Sequence, residues 1–115
     1  MKKNKLIVLV NELKNNEKKI KKYIDFHAKP FNEVVKDLEE KPIGRMRIFI
    51  NSNKLVMLLE VDIDFDLSDG IHIEPFNSKV QEWQNLMGSL FQELESGETR
   101  EWEKTELIFD TKNYY

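Results

Sequence analysis

Two histidines, and no cysteine, are what this chain offers for taking up and returning a proton near neutral pH. One of them, His27, sits in the stretch YIDFHAKPF, residues 23–31, four positions after Tyr23. A spacing of four stacks the two side chains as neighbours on one face of a helix. That face is the apolar one, so the imidazole is either a hydrogen-bonded member of the core or part of a site. Two features favour a site. Pro30 has no N–H to give and crowds the carbonyl of Phe26, which bends the helix beside the histidine and opens space there. Trp83, on a second helical pattern, faces the same sheet and supplies a flat apolar wall. A tyrosine, a histidine and a tryptophan around a pocket between helix and sheet suit a sugar. The aromatic face packs on the C–H side of a pyranose, and polar groups take the hydroxyls.

Other chemistries fit the residues less well. Asp62, Asp64 and Asp66 in DIDFDLSDG have the first three ligand spacings of a calcium-binding loop. Leu67 stands where that loop needs glycine, and Ile73 where it needs a bidentate glutamate. A strand turning Ile63 and Phe65 inward and its carboxylates outward gives the same pattern. His27 and His72 lie in different elements without a carboxylate at helical spacing, so no two-histidine metal site can be argued from them. The four glycines are scattered, which leaves no phosphate-cradling loop, and no serine sits in a G-x-S-x-G elbow. No metal or cofactor is expected.

A chain of 115 residues makes one domain, 1–115, with a single core. Charged residues reach 34%, but the signs are mixed and the net charge is −3, unlike the clustered basic surface of a nucleic-acid binder. The lysine run KKIKK at 18–22 shares a helical pattern with Ile20 and reads as a solvated face. The start, MKKNKLIVLVNE, imitates a secretory leader, but its apolar core spans only Leu6 to Val10. No run approaches a membrane span. A cytoplasmic protein, partnered by neither nucleic acid nor membrane, is expected.

The elements that must position the aromatic group follow from periodicity. Residues 5–13 are short, β-branched and apolar, as a buried strand is. Ile20, Tyr23, Ile24, His27, Phe31, Val34, Val35 and Leu38 then form one helical stripe, kinked or restarted at Pro30. Two strands, 45–51 and 54–66, flank the turn pair Ser-Asn as a hairpin. A second helix is expected over about 77–95, with Val80, Trp83, Met87, Leu90, Phe91 and Leu94 on one face, and a last strand over 102–110. The order βαββαβ predicts an α+β, ferredoxin-like sandwich with two helices on one face of a four-stranded antiparallel sheet. Apolar residues on both sheet faces predict a homodimer packed sheet to sheet.

In this order the motifs resemble the L-rhamnose mutarotase family over nearly the whole chain. The likeness runs through YIDFH and PFNE, the hairpin RIFINSNKLVMLLEV, EWQNLM on the second helix, and a last strand ending near LIFD. It implies a dimeric α/β barrel that interconverts α and β anomers of L-rhamnose or a related 6-deoxy sugar by general acid/base ring opening, without a cofactor. It places His27 on the family's catalytic proton donor, Tyr23 on a substrate-contacting tyrosine, and Trp83 on the first of two adjacent tryptophans that hold the sugar. Met46 stands in place of a sugar-contacting tyrosine and Gln84 in place of the second tryptophan, while Phe31 and Asn32 replace a tryptophan and a proline. The general base is left open between water and a carboxylate such as Glu33. Two other classes compete: a non-catalytic dimeric module binding a sugar or other small molecule, which Met46 and Gln84 favour, and a small oxygenase or heme-handling enzyme of a related barrel.

Overall fold

A computed structural model describes residues 4–115, so the first three residues of the leader-like start lie outside the described part. The apolar run near the N-terminus is strand β1 (Asn4–Glu12), followed by helices α1 (Glu17–Ala28) and α2 (Asn32–Glu40). The hairpin is β2 (Arg45–Asn51) and β3 (Lys54–Asp62), and α3 (Ser78–Gly88) and a short β4 (Glu103–Lys104) complete the order. The strands form one antiparallel sheet, β2-β3-β1-β4, the strand order of a ferredoxin-like α+β fold. No described helix is long and apolar enough to cross a membrane.

Register decides which side chains meet the helices, because residues directly opposite in an antiparallel pair share a face. One face carries the rows Ile7–Leu59–Met46, Leu9–Met57–Ile48 and Asn11–Leu55–Ile50. Leu9, Leu55, Met57 and Leu59 on it are almost fully buried. The other face carries Leu6–Glu60–Arg45, Val8–Leu58–Arg47 and Val10–Val56–Phe49. No helix covers it, and Leu6 and Phe49 are each more than half exposed.

The long helical stripe is two helices. Asn16 caps α1 by accepting from the Lys19 amide at 3.1 Å, and α1 stops at Ala28, two residues short of Pro30. The phase survives the break in part: Tyr23 and Val34 are buried, but Ile24 and Val35 face solvent. The sheet is therefore served by three helices, not two.

Three sequence-based boundaries are corrected. The second helix ends at Gly88 and not near residue 95, with Asn77 as its cap. The Ser89 and Leu90 amides bond to the Asn85 and Met87 carbonyls, tightening the final turn. The chain then runs along the end of β1, where the Lys14 amide donates to the Leu90 carbonyl and the Gln92 amide to the Glu12 carbonyl. Leu90, in the closing turn, and Phe91, in the extended segment after it, are buried as expected, and Leu94 is exposed. The last strand is Glu103–Lys104 alone, and β3 ends at Asp62. Pairing with β1 ceases after Thr105, whose amide and hydroxyl both donate to the Val8 carbonyl. Leu107, Ile108 and Phe109 leave the sheet and stand exposed.

Gly44 sits where the chain enters β2 against β3. A Cβ there would lie 2.7 Å from the backbone carbonyl oxygen of Glu60, which cannot move without disturbing the ladder. Gly44→Ala is expected to cost about 1–3 kcal/mol of stability in urea unfolding. An unchanged midpoint would show that β2 enters the sheet elsewhere.

Candidate active site

Between the helices and the sheet lies a cavity of about 830 Å³, lined among others by Tyr23, His27, Met46, Trp83 and Gln84. The five residues singled out in the sequence come from α1, β2 and α3 and meet on this one space. Pro30 lines it too, at the break between α1 and α2. Glu33 is exposed near the start of α2 and is not part of the lining.

Trp83 is held by rings. Phe26 and Phe31 meet it edge-on with centroids 6.2 and 5.2 Å away, and His27 meets it at 5.2 Å and 66°. Such edge-to-face geometry places the positive rim of one ring on the negative face of another. Phe31, in place of a tryptophan, therefore serves as a support for Trp83. Tyr23 also packs against the imidazole, centroid to centroid 4.1 Å. Burial pushes the Tyr23 phenol well up from its ordinary pKa, so it works here as a hydroxyl and not as an anionic base.

His27 has one nitrogen already committed. Its Nδ1 lies 2.8 Å from the backbone carbonyl oxygen of Tyr23. A carbonyl only accepts, so Nδ1 donates, and Nε2 is the nitrogen left for other chemistry. Desolvation by burial lowers the pKa of the ring from its ordinary 6.5, and the bond to the carbonyl opposes that only in part. At neutral pH the ring is therefore a neutral imidazole whose Nε2 carries a free lone pair.

The second histidine shares the cavity. His72, on the loop between β3 and α3, also lines it, and its Nδ1 lies 2.6 Å from Asp37 Oδ2. The Asp37 side chain, from α2, is only 9% exposed and His72's 10%. Sequence reasoning placed the two histidines in separate elements, and the fold brings them to one space. A signal was present: Asp37 follows Val34 by three on the buried side of α2, where a carboxylate needs a partner. The aspartates of the calcium-like run do something simpler. Asp66 caps the turn Leu67–Asp69, and its bonds from the Ser68 hydroxyl and amide hold its carboxyl below the usual range. Among the described residues, no group of three or more His, Cys, Asp or Glu is placed to hold a metal ion.

A family model described as L-rhamnose mutarotase matches residues 7–111. The chain belongs to the L-rhamnose mutarotase family. It is thereby an isomerase of a family that interconverts carbohydrate anomers. The structure is similar to the crystal structure of L-rhamnose mutarotase FA22100 from Formosa agariphila, with a TM-score of 0.65 over 92% of this chain and 97% of that one. At 19% identity that likeness concerns the fold. No curated protein matches the sequence.

The environment of His27 has a direct spectroscopic consequence. An NMR titration is expected to give its ring a midpoint below 6.5, as desolvation dictates. A midpoint at or above that value would mean the ring is solvated or charge-paired, contrary to the geometry.

Proposed function

We propose that the chain interconverts the α and β anomers of L-rhamnose or a related 6-deoxy sugar in this cavity, without a cofactor. The observation that carries the reading is the free Nε2 of His27 on a cavity walled by Trp83. Trp83 receives the C–H face of the pyranose and Tyr23 orients the imidazole through its carbonyl. Ring opening needs a proton to leave the anomeric hydroxyl and another to reach the ring oxygen; closure reverses both. A neutral His27 accepts the anomeric proton on opening and returns it on closure, from either face. The resemblance gives the imidazole the donor's part, which it plays in the closing half of the cycle. Met46 and Gln84 shape the space around the sugar in place of the aromatic residues of the family pattern.

His27→Ala is expected to lower the enzyme-catalysed anomer exchange of L-rhamnose, followed by saturation-transfer NMR, by about 10²- to 10⁴-fold. Circular dichroism should show the fold retained; exchange at the wild-type rate removes the role of His27. Because the ring must be neutral to accept, the wild-type rate should fall as pH drops through a value below 6.5. A second reading, a sugar-binding module without turnover, is favoured by Met46 and Gln84. It calls for thermal stabilisation by L-rhamnose with no exchange above the buffer rate.

We also propose that a second copy covers the open sheet face. Val8, Val10, Val56, Leu58 and Phe49 form its apolar rows, and the exposed Leu107–Phe109 segment lies beside the free edge of β1. Such a patch is unusual for a solitary small chain. Light scattering should give twice the chain mass of 13.8 kDa, and Leu58→Glu should halve it. A monomeric wild type would refute this assembly.

A further inference from the structure

The proposed reaction needs two proton-transfer groups, and His27 is one. The sequence leaves the general base open between water and a carboxylate such as Glu33, which is outside the cavity lining; with His27 taking the anomeric proton, the group that serves the ring oxygen is the one to assign. His72 lines the same cavity as His27 and is held differently. We propose that His72, oriented by Asp37, is the second proton-transfer group, exchanging a proton with one hemiacetal oxygen while His27 exchanges with the other. The inference rests on the mutarotase reading given above and deepens it.

Several contacts fix the pair. Asp37 Oδ2 accepts from His72 Nδ1 at 2.6 Å, while Oδ1 faces the Ile73 amide at 3.4 Å. A carboxylate on Nδ1 holds the ring in one tautomer and leaves Nε2 for a reacting atom, the logic of an orienting aspartate behind a catalytic histidine. It also supplies a counter-charge whenever the ring is an imidazolium, which the Tyr23 carbonyl behind His27 cannot match. The loop is anchored as well. Lys41 Nζ, at the end of α2, donates to the carbonyls of Asp69 and His72, both at 3.1 Å. The Phe76 ring meets the imidazole edge-on at 6.3 Å. Arg100 and Glu101 are the other charged residues lining the cavity.

The two rings then share one proton. On opening, Nε2 of His27 takes the proton of the anomeric hydroxyl, the bond between C1 and the ring oxygen breaks, and its electron pair goes to that oxygen. His72, as the imidazolium whose charge Asp37 balances, gives its Nε2 proton to the ring oxygen and becomes neutral, leaving a free aldehyde and a hydroxyl on C5. After rotation about the C1–C2 bond the hydroxyl attacks the other face of the aldehyde. His72 recovers its proton from the attacking oxygen, and His27 returns its own to the new anomeric oxygen. No proton is gained or lost over a cycle.

The test measures wild type, His27→Ala, His72→Gln and Asp37→Asn together, as L-rhamnose anomer exchange with kcat and KM separated. The expected result is a fall in kcat of about 10²- to 10⁴-fold for His72→Gln with KM little changed. Asp37→Asn, a positioning change, should lower kcat by less and distort the pH profile. If wild type exchanges, His27→Ala does not, and His72→Gln stays within twofold of wild type, His72 has no such role while the mutarotase reading stands. Wild type at the buffer rate removes both. A measurement on wild type alone guards against a variant that misfolds: in ¹⁵N NMR, L-rhamnose should shift the Nε2 resonances of both histidines. A shift confined to His27 overturns the proposal.

Discussion

One indole ties the helical layer together. Trp83, on α3, is packed by Phe26 and His27 from α1 and by Phe31 from beyond the Pro30 break. The break matters because Phe31, beyond it, meets the same indole as Phe26 and His27, before it. Pro30 stops α1, the chain turns through Phe31, and α2 restarts with Val34 and Asp37 facing inward. The cavity is what remains beneath this junction, between the rings and the row Leu9–Met57–Ile48 of the sheet, with Met46 beside it. Packing and site therefore have the same origin.

The two imidazoles on that cavity sit in unlike surroundings. His27 packs against the rings of Tyr23 and Trp83, with a neutral carbonyl on Nδ1, an environment that disfavours its charged form. His72 is backed by a carboxylate from another helix. The fold places one histidine inside an aromatic helix face and the other on a loop that α2 grips through Asp37 and Lys41.

Local patterns made part of this visible in the sequence. The Tyr23–His27 pair is legible because four residues is one helical turn, and the hairpin because alternation and a Ser-Asn turn fix its register. Ser52 does adopt the left-handed conformation such a turn needs, with φ of +59°. The second helix is shorter than its periodicity predicts because Leu90, Phe91 and Leu94 keep helical spacing past Gly88, where pairing with the end of β1 takes over. That competition is between distant segments, and periodicity has no access to it. The same holds for the last strand. ELIFD has strand composition, but whether it pairs depends on the edge of β1, and there the Val8 carbonyl ends the ladder. His72 was hidden because a loop has no period, so only the unpaired carboxylate on the buried side of α2 pointed to it.

The central claim is that a sugar binds with its reacting centre against the free nitrogen of His27. A crystal structure with L-rhamnose tests it most directly. The expected result is a pyranose in the cavity, its C–H face on Trp83 and a hemiacetal oxygen within about 3 Å of His27 Nε2. A sugar seated elsewhere, or one whose hemiacetal oxygens face away from that nitrogen, would contradict it.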